Sequence, residues 1–463
     1  MKKSYIIIAV LIIALLAVAF FGDKNETNSF ENICSMLLDE VPEPSVSSLG
    51  GEWTVTALAR AGYDVPDGYF EKYYSNLSAY LKENNGVLHK SRYTEYSRVI
   101  IALSAIGASP ENVGGYNLLS PLADYEKTVK QGINGAVFAL LALDSGNYEI
   151  PKNTDATVQA TREMYINLIV ENQNSDGGFS LKEDSDIDLT AMVLQALSHH
   201  REKEDVNTAL EKGISALSRM YLSGKAENAE SLSQVAMALC ELGIDFNDER
   251  FVKDGKTIPE LVSDCVNSLS LSDGDELLTA EQLLYATVNI ERVKNKKKSF
   301  YDMSDVEKRE FSGSEKNDKS EEKNIEKSET GELKCTLDIR CNTVFDNLSK
   351  LEDGKEEFIP EDGIILSEEV EFSKGETAFE ILKRVLKEKK IPFEFEKSPT
   401  QNAIYIEGIN NLYEFDCGEL SGWLYSINGK FPEKSIGNYK PQNGDKIEIM
   451  YSCDSGEDVG NGK

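Results

Sequence analysis

Basic residues are in short supply in this chain: 49 Lys and Arg face 80 Asp and Glu, a formal net charge of −31. A surface field that negative repels phosphate backbones, which excludes nucleic acid as a partner. Histidine is scarcer still, with only His89, His199 and His200, and Cys34, Cys240 and Cys265 lie scattered with no metal-site spacing, so no metal site is expected. The pair His199-His200 reads as a helix end, where a cation suits the dipole.

What is present is a length of 463 residues with 40% apolar content, enough for a sizeable core divided into two or three domains. Lys2-Lys3 precede an unbroken apolar run from Tyr5 to Phe21 containing the small-residue site Ala17-Val18-Ala19. Residues 1–22 therefore read as an export signal, or as an uncleaved N-terminal membrane anchor, and either places the bulk outside the cytoplasm, secreted or on the outer face of the cell membrane. No cysteine follows closely enough for a lipidated start, the first being Cys34. Export permits disulfides, and four cysteines (Cys335, Cys341, Cys417, Cys453) fall in the last third. They allow three pairings, among which sequence does not choose, and buried reduced thiols are the plainer alternative.

Six apolar, Ala-rich segments recur with a period of about 45 residues, beginning at Thr54, Ser97, Gly135, Thr190, Ser233 and Glu281. Nearly free of charge, they predict inner helices buried on most sides. Amphipathic stretches at 68–83, 156–171, 206–222 and 259–269 predict outer helices. Six inner and six outer helices would close an α6/α6 toroid over residues 30–305. Residues 306–331 are Lys, Glu, Ser and Asn with almost no apolar side chain, which predicts a disordered linker. From 332 to 453 the period becomes alternating, with Cys335, Leu337, Ile339 and Cys341 on one strand face, strands at 403–407, 422–427 and 446–451, and one amphipathic helix at 377–388. That pattern predicts a small α+β, β-grasp-like module. Residues 454–463 read as a frayed tail.

The segment Leu168 to Leu197, with Asp176-Gly-Gly-Phe179 and Asp188-Leu-Thr-Ala-Met192, resembles the repeats of terpenoid cyclases and prenyltransferases. In the second domain, Gly375-Glu-Thr-Ala-Phe-Glu-Ile-Leu382, Ser421-Gly-Trp-Leu-Tyr-Ser-Ile-Asn-Gly429 and Gly437-Asn-Tyr-Lys-Pro-Gln-Asn-Gly-Asp445 resemble the C-terminal domain of the transcobalamin and intrinsic factor family, here of a bacterial type. That resemblance implies a toroid followed by a β-rich domain, with cobalamin in the cleft between them. It implies roles residue by residue. Gln131-Gly-Ile-Asn-Gly135 is similar to the family's Gln-x-x-x-Gly entry, whose Gln reaches corrin amides, and Asp188 falls in its Asp-Thr-Ala-Ala-Met entry. A third entry aligns loosely with Asn228 to Gln234, while Trp423 matches the Trp of a Tyr-Trp pair and Tyr439 the last residue of a Val-Ala-Asp-Tyr. Ser185 stands where some members have an axial His, so the resemblance does not extend to direct cobalt coordination.

Parallel inner helices would gather their N-termini at one mouth, lined by Trp53, Glu95, Tyr96, Gln131, Asn134, Asp186, Asp188, Asn228, Glu230, Thr279 and Glu281. Donors and acceptors around a shallow cavity suit an amide-rich ligand. Asp186 and Asp188 equally suit helix N-caps, and Trp423 equally suits a core. Enzymatic readings fare less well. Leu189 interrupts the carboxylate cluster that would sharpen a cyclase acid, and Phe138 and Tyr285 are the few aromatics on inner helices that are otherwise aliphatic. Asp188, Glu230 and Glu281 are the carboxylates a glycosidase would use.

The expectation is an extracytoplasmic small-molecule-binding protein, not an enzyme, needing no cofactor. Its ligand set is Gln131, Asn134, Asp188, Asn228, Glu230, Gln234, Trp423 and Tyr439, and cobalamin or a related corrinoid is the candidate ligand. A cell-surface adhesion or scaffold protein with a protein partner, and a carbohydrate-active or terpenoid enzyme, are the alternatives.

Overall fold

The computed structural model describes residues 29–46, 48–181, 184–269, 277–311, 333–373, 375–397, 404–432 and 434–461. The expected export segment 1–22, most of the expected linker (312–331) and residues 462–463 lie outside them. The chain divides into two compact units, residues 1–129 with 133–313, and 130–132 with 314–463.

In the first unit residues 29–40 are helical (α1). They are followed by α2 (Trp53–Ala61), α3 (Tyr69–Glu83), α4 (Thr94–Ile106), the short α5 (Tyr125–Thr128), α6 (Ile133–Ser145), α7 (Arg162–Glu171), α8 (Ile187–Leu197), α9 (Glu204–Leu222), α10 (Ala229–Leu242), α11 (Ile258–Ser268) and α12 (Leu277–Lys294). The six Ala-rich helices pack in the order α2, α4, α6, α8, α10, α12, and α12 packs back on α2, so they form a closed inner ring. Small side chains make the ring possible: Ala136, Ala139 and Ala142 of α6 are fully buried and let neighbouring helices approach. Outer helices are amphipathic for the opposite reason. In α9, Val206, Leu210, Ile214, Leu217 and Tyr221 are buried at helical spacing, each aliphatic one contributing about 2 kcal/mol of burial.

The third outer position departs from expectation. Pro110, Gly114, Gly115 and Pro121 interrupt the segment, and between α4 and α6 the chain makes only the turn Pro121–Ala123, α5 and the turn Val129–Gln131. Within it, Gly135 meets a local necessity, since a Cβ there would lie 1.8 Å from the Thr128 carbonyl oxygen. The glycine that ends the Gln-x-x-x-Gly motif is thus required by close backbone approach.

After α12 the chain runs back across the C-terminal ends of the inner helices. Arg60 Nη1 meets Asp305 at 2.6 Å, Arg292 also pairs with Asp305, and Arg60 Nη2 donates to the carbonyls of Ser299 (2.6 Å) and Asp302 (2.9 Å). Phe300, Tyr301 and Met303 are buried beneath this strap. It continues past 306: Arg309 N donates to Gly107 O at 2.8 Å, and Val306 and Phe311 pack on the ring core. Residues 306–311, which composition assigns to the linker, therefore belong to the ring. Composition misled because only two apolar side chains, Val306 and Phe311, anchor a stretch that is otherwise charged, and the remaining contact is a backbone one. Gly107 accepts this crossing at φ +85°, with Glu307 O only 2.2 Å from where a Cβ would stand.

The second unit holds a four-stranded sheet in the order β2 (Ile364–Phe372), β1 (Leu333–Arg340), β7 (Lys446–Ser452), β6 (Gly422–Ile427). β1 and β7 run parallel at the centre, with Ile339 beside Ile449, and the two outer pairs are antiparallel. A smaller sheet is formed by β3 (Phe393–Lys397), β4 (Ile404–Ile409) and β5 (Leu412–Tyr413). The single long helix α13 (Ala378–Lys389) opens with a capping box, Thr377 N donating to Glu380 Oε2 at 2.8 Å, and buries Ile381, Leu382 and Val385. One helix with a small mixed sheet is the α+β module the pattern predicts, although β2, β3 and β5 were not anticipated. The expected frayed tail is corrected over 454–461. There Gly456 N donates to Ser452 Oγ (2.7 Å) and Asp458 accepts from Cys453 N (2.7 Å), so the chain folds back on β7.

Candidate functional site

Inner helices are buried on nearly every side, so residues that keep partial exposure on them identify a surface. In the first two turns these include Trp53 on α2, Glu95 on α4, Asn134 and Phe138 on α6, Asp188 and Met192 on α8, Ala229, Glu230 and Gln234 on α10, and Leu278, Thr279 and Gln282 on α12. Within α6, α8 and α10 two of them stand i, i+4 apart, on one face of a helix. The ring thus presents a basin at the N-terminal end of its inner wall. Aromatic rings meet across it: Trp53 lies 6.3 Å from Phe138 and 5.7 Å from Tyr285, and Tyr285 lies 6.0 Å from Phe300 of the strap.

An amide ladder crosses the same wall. Gln195 Nε2 donates to Gln234 Oε1 (3.1 Å), Gln234 Nε2 donates to Tyr285 OH and to Gln282 Oε1 (3.3 Å), and Tyr285 OH donates to Gln282 Oε1 (2.9 Å). Beside it stand carboxylates. Asp188 Oδ1 is buried without a hydrogen-bond partner among the described residues. Burial raises the Asp188 carboxyl, the Ser231 hydroxyl draws it partly back, and the charges of Asp186 and Glu230 raise it further. Glu230 accepts from Thr279 Oγ1.

The flanking helix starts sort caps from site. Asp186 caps α8 by accepting from Leu189 N (2.8 Å), and Asn228 caps α10 by accepting from Ser231 N (2.7 Å). Asn228 is exposed and its oxygen is engaged in this way, so helix capping accounts for its presence. Of the residues expected in the ligand set, Asn134, Asp188, Glu230 and Gln234 all belong to the basin. Gln131 is half-buried at the end of the turn before α6. Gln195 and Gln282 were missed, though an amide inside a nearly charge-free, Ala-rich helix was the available signal.

Glu95 and Glu281, also expected at the mouth, are built into a buried ionic cluster instead. Arg98 pairs with Glu95 and lies 3.5 Å from Glu52, which accepts from Tyr73 OH at 3.3 Å. Burial pushes the Glu52 carboxyl up to about 8 against the pull of Arg98. Glu281, 1% exposed, accepts from Gly50 N (3.0 Å) and Thr54 Oγ1, and burial pushes it up to about 7 despite those donors. Burial also works against Glu95, but Arg98 and Arg92 hold it below its ordinary value. This cluster ties α2, α4 and α12 together.

In the second unit Trp423 corrects the sequence reading. It is 5% exposed, its Nε1 donates to Leu412 O at 2.9 Å, and its ring meets Tyr451 edge-on at 5.1 Å. Trp423 is a core residue: it sits on the same strand face as Ile427 and belongs to the buried cluster of the second unit. Tyr439 is half-buried, and its carbonyl accepts from Ala378 N at 2.8 Å, which fixes the start of α13. Ser185 serves a turn, donating to Asp176 Oδ1 (2.6 Å) and accepting from Asn174 Nδ2 (3.0 Å). A groove of 740 Å³ between α7 and α9 includes Gln173, Glu204 and Lys212, and none of the expected site residues lines it. Among the described residues no group of three or more metal-ligating side chains occurs, and no helix is long and apolar enough to cross a membrane.

Residues 375–452 match the family model described as "Domain of unknown function (DUF4430)". No curated protein matches the chain. Among solved structures, haptocorrin in complex with Cbi is similar over 92% of this chain and 96% of its own, with 16% identity and a TM-score of 0.50. At that identity the likeness is one of fold, and the chain shares the haptocorrin fold.

Proposed function

We propose that the protein binds a small amide-bearing ligand at the basin of its helical ring, and that the ligand is a corrinoid such as cobalamin. The observation that carries this reading is the amide ladder of Gln195, Gln234 and Gln282, closed by Tyr285, together with an Asp188 oxygen that has no partner among the described residues and the Trp53 ring against Phe138 and Tyr285. Amide donors and acceptors match the amides around a corrin, while aromatic faces suit its flat macrocycle. The shared fold with a protein solved in complex with Cbi supports the same ligand class. Residues 1–22 would direct export or anchor the chain, so that capture takes place outside the cytoplasm, by a protein secreted or held on the outer face of the membrane.

Calorimetric titration of the purified chain with cobalamin, read in parallel by visible absorbance, tests the proposal. Micromolar or tighter binding is expected, weakened at least tenfold (about 1.4 kcal/mol) by Gln234→Leu, which removes the side-chain amide that links Gln195 to Gln282 and Tyr285. Absence of binding below millimolar cobalamin refutes it. A hydrolytic reading has one observation in its favour, the raised Asp188 carboxyl beside Glu230. Polysaccharide turnover abolished by Asp188→Asn would establish that reading instead.

A further inference from the structure

Two of the four cysteines in the second unit meet in its core. Cys453 directly follows β7, and Cys417 lies in the tight loop that leads into β6; the antiparallel pairing of these strands sets Gly422 opposite Ser452. The loop doubles back, with Cys417 N donating to Ser421 Oγ (3.0 Å), Ser421 N to Gly418 O (2.9 Å) and Tyr451 OH to Ser421 Oγ (2.9 Å). Both sulfurs rest on one turn of the helical segment Asn342–Lys350. Cys417 Sγ bonds to Asn347 O at 3.5 Å and Cys453 Sγ to Thr343 Oγ1 at 3.8 Å, and Asn347 Nδ2 in turn donates to Thr343 O at 3.0 Å. The thiols also hydrogen-bond one another, Cys453 to Cys417. Cys335 and Cys341 differ: Cys335 lies within β1 and Cys341 just past its end, and the nearby carboxylates acting on them are Glu376 and Asp445 for the first and Asp362 for the second.

We propose that Cys417 and Cys453 are a disulfide-forming pair, oxidised by exchange with a small disulfide of the glutathione type. The Cys453 hydrogen bond and the nearby Lys350 charge favour the Cys417 thiolate, burial opposing them, so Cys417 is the attacking group. Its sulfur attacks one sulfur of the small disulfide, whose S–S bond breaks and releases one thiolate. Cys453, deprotonated, then attacks Cys417 Sγ, expelling the second thiolate. Two protein thiols are oxidised, one small disulfide is reduced to two thiols, and both protons pass to the leaving groups. Both sulfurs are buried, at 0% and 2% exposure, so exchange follows opening of the fold-back segment 454–461, whose Asp458 holds Cys453 N. The pairing is independent of the ligand reading, since neither sulfur belongs to the ring.

Incubation of the purified full chain with oxidised glutathione, then alkylation under denaturing, non-reducing conditions and peptide mass spectrometry, decides the matter. The expected result is one linked peptide joining Cys417 to Cys453, with the other five cysteines alkylated. Closing a loop of roughly 35 residues should also raise the thermal midpoint of the second unit by on the order of 5 °C, reversed by dithiothreitol and absent in Cys453→Ser. Alkylation of both Cys417 and Cys453, or linkage of either to another cysteine, overturns the proposal.

Discussion

Glu281 makes the stability of the ring depend on pH in a direction opposite to ordinary acid denaturation. Its carboxyl, 1% exposed, is pushed from an ordinary 4.5 up to about 7. Between those values the folded chain keeps a proton that the unfolded chain has released, so stability is complete below pH 4.5 and declines as pH rises to 7. The decline is about 1.4 kcal/mol per pH unit, or about 3 kcal/mol across the window. Glu281→Gln removes the ionisation while its amide oxygen still accepts from Gly50 N and Thr54 Oγ1. Urea unfolding followed by far-ultraviolet circular dichroism reads mainly the ring, which holds nearly all the described helix. Relative to wild type, the variant should gain about 3 kcal/mol between pH 5 and pH 8, the titration of Glu52 cancelling because both proteins retain it. A stability difference identical at the two pH values would refute the reasoning.

Two further outcomes follow from packing. Gly135→Ala places a methyl against the Thr128 carbonyl and should lower stability by about 1–3 kcal/mol; an unchanged melting temperature would show that the start of α6 yields freely. Asp305→Ala strips two buried guanidinium groups, Arg60 and Arg292, of their shared carboxylate. A loss on the order of 3 kcal/mol is expected, together with faster proteolysis within 298–311, and wild-type cleavage rates would count against a clasping role for the strap.

The ring was legible because its signal is long-range and redundant: a residue pattern repeated six times tolerates errors at any one copy. Boundaries were less so. Residues 306–311 look like linker by composition, yet Arg309 and Glu307 engage Gly107 through main-chain atoms, which leave no trace in side-chain chemistry. Trp423 shows the opposite difficulty. A motif correctly marked it as special, but only the fold reveals that its indole N–H is spent on Leu412 O. At the basin, Asp188 and Gln234 could be picked out individually, whereas the ladder through Gln195 and Tyr285 depends on the packing of α8, α10 and α12, which no local pattern records.

The strap across the C-terminal ends of the inner helices gives the ring a floor. Phe300 reaches Tyr285 from below, as Trp53 does from above. If the proposed ligand settles on the inner wall, the strap would stand between it and the far side, and departure would use the doorway of entry. Capture and release would share one bottleneck, so a change at the rim that slows entry should slow escape in proportion, altering residence time while leaving equilibrium occupancy nearly untouched.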